Sequence, residues 1–271
     1  MLRLVDYPAP VALAALTCLI QRKSRGFFVA QNERRIPEPI KRQIRQRCGF
    51  GCVICGFPLY EYEHMREWAI VKEHHPGEMT LLCPTHHAEK TRGLLPVEDV
   101  WAANSRPHNL RLGVSEAFPL RYSGDSCLVN LGSNRFAHDF TRDAVIPALT
   151  IRGCPVIRVK KQDGCLLLSL RIFDKEGNPL LTVDDNELIF SVDSWDVELV
   201  GKRLTIRAGL GLILAQVEFY PPSAIVINRG TFAYDGFPVR VAPDHILLEK
   251  YNIRMEKSGA SMNGHGGFNF N

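Results

Sequence analysis

Two textures of apolar and polar positions divide this chain. Up to about residue 125 strand signals are few, and the pattern suits short helices. In "RRIPEPIKRQIRQRCG" (34–49), Ile40 and Ile44 lie four residues apart on one face. Pro39 suits a first turn and Gly49 and Gly51 stop the run, so a helix is expected there. "LPVEDVWAANSRP" (95–107) predicts a second helix, ended by Asn104 and Pro107. "FPLRYSGDS" (118–126) reads as linker. From about residue 127 the rhythm turns to β. "PVIRVKK", "CLLLSLRIF", "NELIFSV", "WDVELV", "RLTIRA", "LILAQVEF" and "AIVINRG" follow one another, separated by turn chemistry such as "KKQDG", "DKEGNP" and "YDGFP". An all-β domain of about ten strands is expected, a sandwich or barrel first. A β-solenoid comes second, because no strict repeat is present.

The two ends carry weaker signals. The apolar core of the start, Val11–Ile20, is too short to span a bilayer, and no small-residue cleavage site precedes the basic run after it. Residues 1–30 are therefore expected to be a leader, a short helix or loosely ordered, and no membrane segment is expected. The Gly/Asn-rich end, 257–271, is expected to be disordered. Between them, 31–125 is read as one module with its linker and 126–256 as the β-rich domain.

Composition changes this picture little: 45% apolar and 23% charged residues are ordinary for a globular protein. The net charge of +4 is mild, but residues 20–60 carry nine Lys/Arg against Glu33 and Glu38, a local excess of 9 − 2 = +7. Such a face suits phosphate, although a merely solvated helix face has the same composition. The eight cysteines are scattered apart from one C-x2-C pair, which is no disulfide framework and fits a reducing cytoplasm.

The chemistry concentrates between residues 48 and 93. Cys52-x2-Cys55 and Cys83-x2-His86 are two ligand pairs separated by 27 residues, the spacing of a tetrahedral structural Zn²⁺ site. Cys48 is a competing ligand. Alternation over 57–64 predicts a strand ending in Glu63–His64, "MTLL" (79–82) a second strand, and Pro84 the first turn of a helix carrying His86 and His87. Neighbouring helical residues point about 100° apart, so His86 and His87 face different things. His74 and His75, in the loop between the strands, read as exposed loop residues.

With "CGFGCVICG", "EYEHM" and "LLCPTHHAEKTRG" in this order, residues 34–93 resemble the HNH endonucleases in their zinc-stapled ββα-metal form. The resemblance implies an α+β protein, an N-terminal ββα-metal (HNH) module followed by the all-β domain. It implies that His64 is the general base and that Glu63 and His87 hold a catalytic divalent cation, Mg²⁺ or similar. Cys52, Cys55, Cys83 and His86 then hold the structural zinc. Double-stranded DNA would be the partner, with Lys41, Arg42, Arg45, Arg47, Lys90 and Arg92 available to phosphates. Double-strand breakage by one site per chain would call for a homodimer. The β-rich domain would bind DNA, a protein partner or a regulatory ligand. One position departs from the family, which has asparagine where this chain has Glu78. Glu78 either orients the base, adds a carboxylate near the cation, or marks a member without activity. The alternative is accordingly a catalytically weakened zinc finger that binds DNA or protein.

Overall fold

A computed structural model describes residues 35–257, 259–261 and 267–271, and the leader expected over 1–30 lies outside them. Every element below belongs to one compact unit, Ile36–Asn271.

Its first stretch comprises α1 (Glu38–Cys48), β1 (Glu61–His64), α2 (Trp68–Val71), β2 (Met79–Leu82), α3 (Pro84–Thr91), α4 (Val97–Ser105) and α5 (His108–Leu112). Helix α1 forms over the apolar pair that predicted it, with Ile44 fully buried. Gly49 ends it in the left-handed region at φ 69°, its N–H on the Arg45 and Gln46 carbonyls. The strand expected over 57–64 is shortened to its second half. The Phe57 carbonyl is already taken by the Cys52 N–H, so pairing starts only at Glu61. β1 then runs antiparallel to β2, from Glu61↔Leu82 to His64↔Met79. A two-stranded hairpin is marginal alone. Here all four residues of β2 are buried, and Met79, Leu81 and Leu82 share an apolar core with Ile44, Cys48, Val53, Met65 and Val100.

The remainder is mostly β. Its strands are β3 (Phe118–Pro119), β4 (Ser126–Leu131), β5 (Asn134–Asp139), β6 (Ala144–Ile151), β7 (Cys154–Gln162), β8 (Cys165–Phe173), β9 (Pro179–Asp184), β10 (Glu187–Phe190) and β11 (Asp196–Val200). There follow β12 (Arg203–Gly209), β13 (Leu212–Tyr220), β14 (Ala224–Tyr234), β15 (Phe237–Ala242), β16 (His245–Leu248), β17 (Ile253–Met255), β18 (Gly259–Ser261) and β19 (Phe268–Phe270). Successive antiparallel hairpins link β6 through β10, and again β11 through β17. The long β14 joins the two runs. Its first half pairs with β13 and runs parallel to β4, while its second half pairs with β15 and meets β8 at Thr231↔Phe173. The sheet is thereby curled into a half-barrel. Alternating residues such as Phe136, Phe190, Phe232 and Phe237 fill its core, and Phe50 from the first stretch joins them.

Three expectations are corrected. The strands outnumber the expected ten, because short ones such as β5 ("NRFAHD") carry too few apolar residues to register as alternation. The linker over 118–126 is partly structured: β3 pairs with β10, Leu120 and Tyr122 are buried, and the Tyr122 hydroxyl donates to the Ala224 carbonyl. The tail over 257–271 contains β18, parallel to β5, and β19, parallel to β6. Phe268 and Phe270 alternate around Asn269, so both rings enter the core while Asn269 faces out.

Candidate functional site

The two ligand pairs converge. The donor atoms of Cys52, Cys55, Cys83 and His86 all lie within 4.8 Å of one another. Cys55 Sγ and Cys83 Sγ are 3.8 Å apart, the edge of a tetrahedron with metal–sulfur bonds of about 2.3 Å. His86 Nδ1 lies 3.3 Å from Cys52 Sγ and 3.2 Å from Cys83 Sγ. Three soft thiols and one imidazole in this geometry suit a structural metal such as zinc. Local backbone explains the placement. The Gly56 N–H donates to the Cys52 carbonyl across the knuckle, and Cys83 lies between the end of β2 and Pro84, which opens α3, with His86 in its first turn. A hydrogen bond from the Cys55 thiol holds Cys52 below its usual range and, together with burial, pushes Cys55 above its own, so one proton lies between the two sulfurs. Cys48 takes no part. Its thiol lies 3.9 Å from Thr80 Oγ1 and 3.8 Å from Asn104 Oδ1, and burial raises its pKa.

A buried residue that sequence reasoning missed braces this knuckle. Asn109 Nδ2 donates to the Gly49 and Gly56 carbonyls at 2.9 and 3.0 Å. Gly56 has φ +76°, and a Cβ there would lie 2.2 Å from Asn109 Oδ1, so only glycine fits. Asn109 is more than fifty residues from Gly56 in sequence, and no local signal points to it.

The acid and histidines of the resemblance sit at the end of β1 and on α3. His87 Nε2 is 3.0 Å from Glu63 Oε2, and His87 Nδ1 is 3.5 Å from Glu61 Oε2. His86 and His87 therefore do face different groups. His64 ends β1 beside Glu63, and its Nε2 lies 3.1 Å from His74 Nδ1. Burial first, and then the nearby His74, lower the His64 pKa.

Several expected roles are corrected. Glu78 reaches neither histidine pair; its carboxylate lies 3.3 Å from Arg66 Nη1, while its backbone carbonyl accepts the Met65 N–H. Lys90 is not a free phosphate contact, since its ammonium donates to Glu63 Oε1 and to the His64 carbonyl. Arg45 is buried, its guanidinium bonded to Asp196 and Glu198 of β11. Arg47 is turned inward to the Pro76 and Met79 carbonyls. Arg42 stacks over the Trp195 ring, and Lys41 pairs with Glu38. Side chains on α1 face its neighbours because the helix is packed against β11 and β2, which the charge run alone does not reveal. Arg92, just past α3, is exposed. His74, read as an exposed loop residue, instead meets His64.

No protein-family model matches this chain, nor does any curated protein or solved structure. Among the described residues no helix is long and apolar enough to cross a membrane.

Proposed function

We propose that this chain is a metal-dependent endonuclease of the HNH type, hydrolysing phosphodiester bonds of double-stranded DNA. The observation that carries the reading is the approach of Glu63 to His87, with His64 as the next residue of β1, on a hairpin and helix tied together by the Cys3His cluster. A carboxylate and an imidazole side by side suit Mg²⁺ or a similar cation, which when bound supplies Lewis-acid charge to a phosphate oxygen. Glu63 and His87 would hold it. His64, neutral at working pH, would accept the proton of the attacking water. Lys90 adds positive charge beside Glu63, where an anionic phosphate would arrive. The β-rich domain would serve recognition or regulation. It offers a cleft of about 800 Å³ lined by Trp195, Leu214, Arg229 and Arg240 among others, room for a ligand or a segment of a partner. Cutting both strands from one site per chain would call for a homodimer.

The test is incubation of purified protein with supercoiled plasmid in Mg²⁺, Mn²⁺ or EDTA. Cation-dependent nicking or linearisation supports the reading, and intact plasmid under every divalent cation overturns it. One observation favours a second reading, a zinc-stapled binding module without chemistry. The Lys90 ammonium already neutralises Glu63, and Glu78 brings no second carboxylate. Under that reading the protein shifts DNA in a gel and leaves it uncut.

A further inference from the structure

We propose that His74 is a positioning residue that fixes the tautomer of His64, a role resting on the reading of His64 as the base. Two imidazole nitrogens at 3.1 Å, His64 Nε2 and His74 Nδ1, share one hydrogen. In one arrangement His64 Nε2–H donates to His74 Nδ1, and His64 Nδ1 keeps its lone pair. In the other His74 donates, and His64 carries its own hydrogen on Nδ1. His64 Nε2 is engaged either way, so only Nδ1 is left to accept a proton from water. Base chemistry therefore requires the first arrangement, with His74 as acceptor.

The surroundings hold His74 in place for this task. Its ring stacks on Trp68 with centroids 4.7 Å apart and planes 22° apart, and Trp68 also lies 5.0 Å from the His64 ring. Trp68 opens the single turn of α2. Lys72 ends that turn in the left-handed region at φ 49°, bending the chain so that His74 returns to the end of β1. Glu78 cannot orient the base, because its carboxylate is paired with Arg66. The work that the resemblance gives to position 78 is thus divided. The Glu78 backbone ties the loop to Met65, and the His74 ring orients His64.

The experiment compares full-length wild type with His74→Ala and His74→Asn. Asparagine carries an acceptor oxygen on Cγ, where histidine carries Nδ1. Long-range proton–nitrogen spectra of the ¹⁵N-labelled protein should show neutral His64 protonated at Nε2 in wild type and in His74→Asn, and a mixture of tautomers in His74→Ala. Plasmid cleavage by His74→Ala should fall about 10–100-fold, the usual effect of losing an orienting partner, and His74→Asn should recover most of it. Zinc content and circular dichroism identify any variant that has misfolded. Wild-type His64 protonated at Nδ1, or a tautomer unaltered by His74→Ala, overturns the proposal, as does an Asn variant as slow as the Ala variant. If wild type never cleaves, the nuclease reading falls, while the spectra still decide whether His74 sets the tautomer.

Discussion

Arg45 and Asp196 are joined by two parallel hydrogen bonds of 2.8 and 2.9 Å, in a place where each side chain is only 3% and 2% exposed. Arg45 also reaches Glu198 and the Tyr62 hydroxyl, and Arg207 closes the network on the same two acids. This pair fixes α1 to β11. Without Arg45, Arg207 alone faces both acids and one negative charge is left in excess, so Arg45→Ala should cost about 3–5 kcal/mol. Urea unfolding measures it, and a loss below about 1 kcal/mol would show that water reaches Asp196.

Under the proposed nuclease reading, phosphate contact would fall to Arg92, which is exposed. Arg92→Ala should weaken DNA binding across all sequences and reduce the salt slope by about 1. A slope equal to that of wild type would remove Arg92 from the interface.

The Cys3His cluster should hold its metal through folding. Cys52→Ala or Cys83→Ala should release it and unfold the hairpin and α3, because ligand geometry and fold share one free energy. Lowering the pH should release it too, since the thiolates must protonate. Elemental analysis finding no tightly held zinc in purified wild type would end this assignment.

His64→Ala should retain zinc and DNA binding, because His64 touches neither the thiol cluster nor Arg92, yet lose about 10²–10⁴-fold in cleavage. His87→Ala should lose cleavage through cation affinity, and raised Mn²⁺ should restore part of it. Equal rates for wild type and His64→Ala would show that another group takes the proton.

Burial and the neighbouring His74 lower the His64 pKa from the ordinary histidine value. The sign follows directly: a base with a depressed pKa stays neutral to lower pH. The acid limb of kcat/KM should therefore lie below about 6.5. A limb at or above that value would show that His64 is not the titrating group.

Some of this was legible in the sequence and some was not. Strand runs such as "CLLLSLRIF" and "LILAQVEF" coincide with β8 and β13, because alternation and turn residues act between neighbours in the chain. The metal pairs were legible for the same reason. Each is a local spacing, and one tetrahedron requires both. That His86 and His87 face different groups followed from helical geometry alone. What only the tertiary structure decided are pairings across long separations. The basic run on α1 looked like a phosphate face, yet Arg45 meets Asp196, 151 residues away, and is buried. Likewise the Phe-Asn-Phe ending looks disordered until β6 offers an edge for Phe268 and Phe270 to pair with. Glu78 turns to Arg66, while His74 stacks on Trp68 and meets His64. Charge, ring and edge carry no address in the sequence. Their partners are chosen when the sheet curls and α1 packs against it, because burial makes an unpaired charge or strand edge too costly to leave.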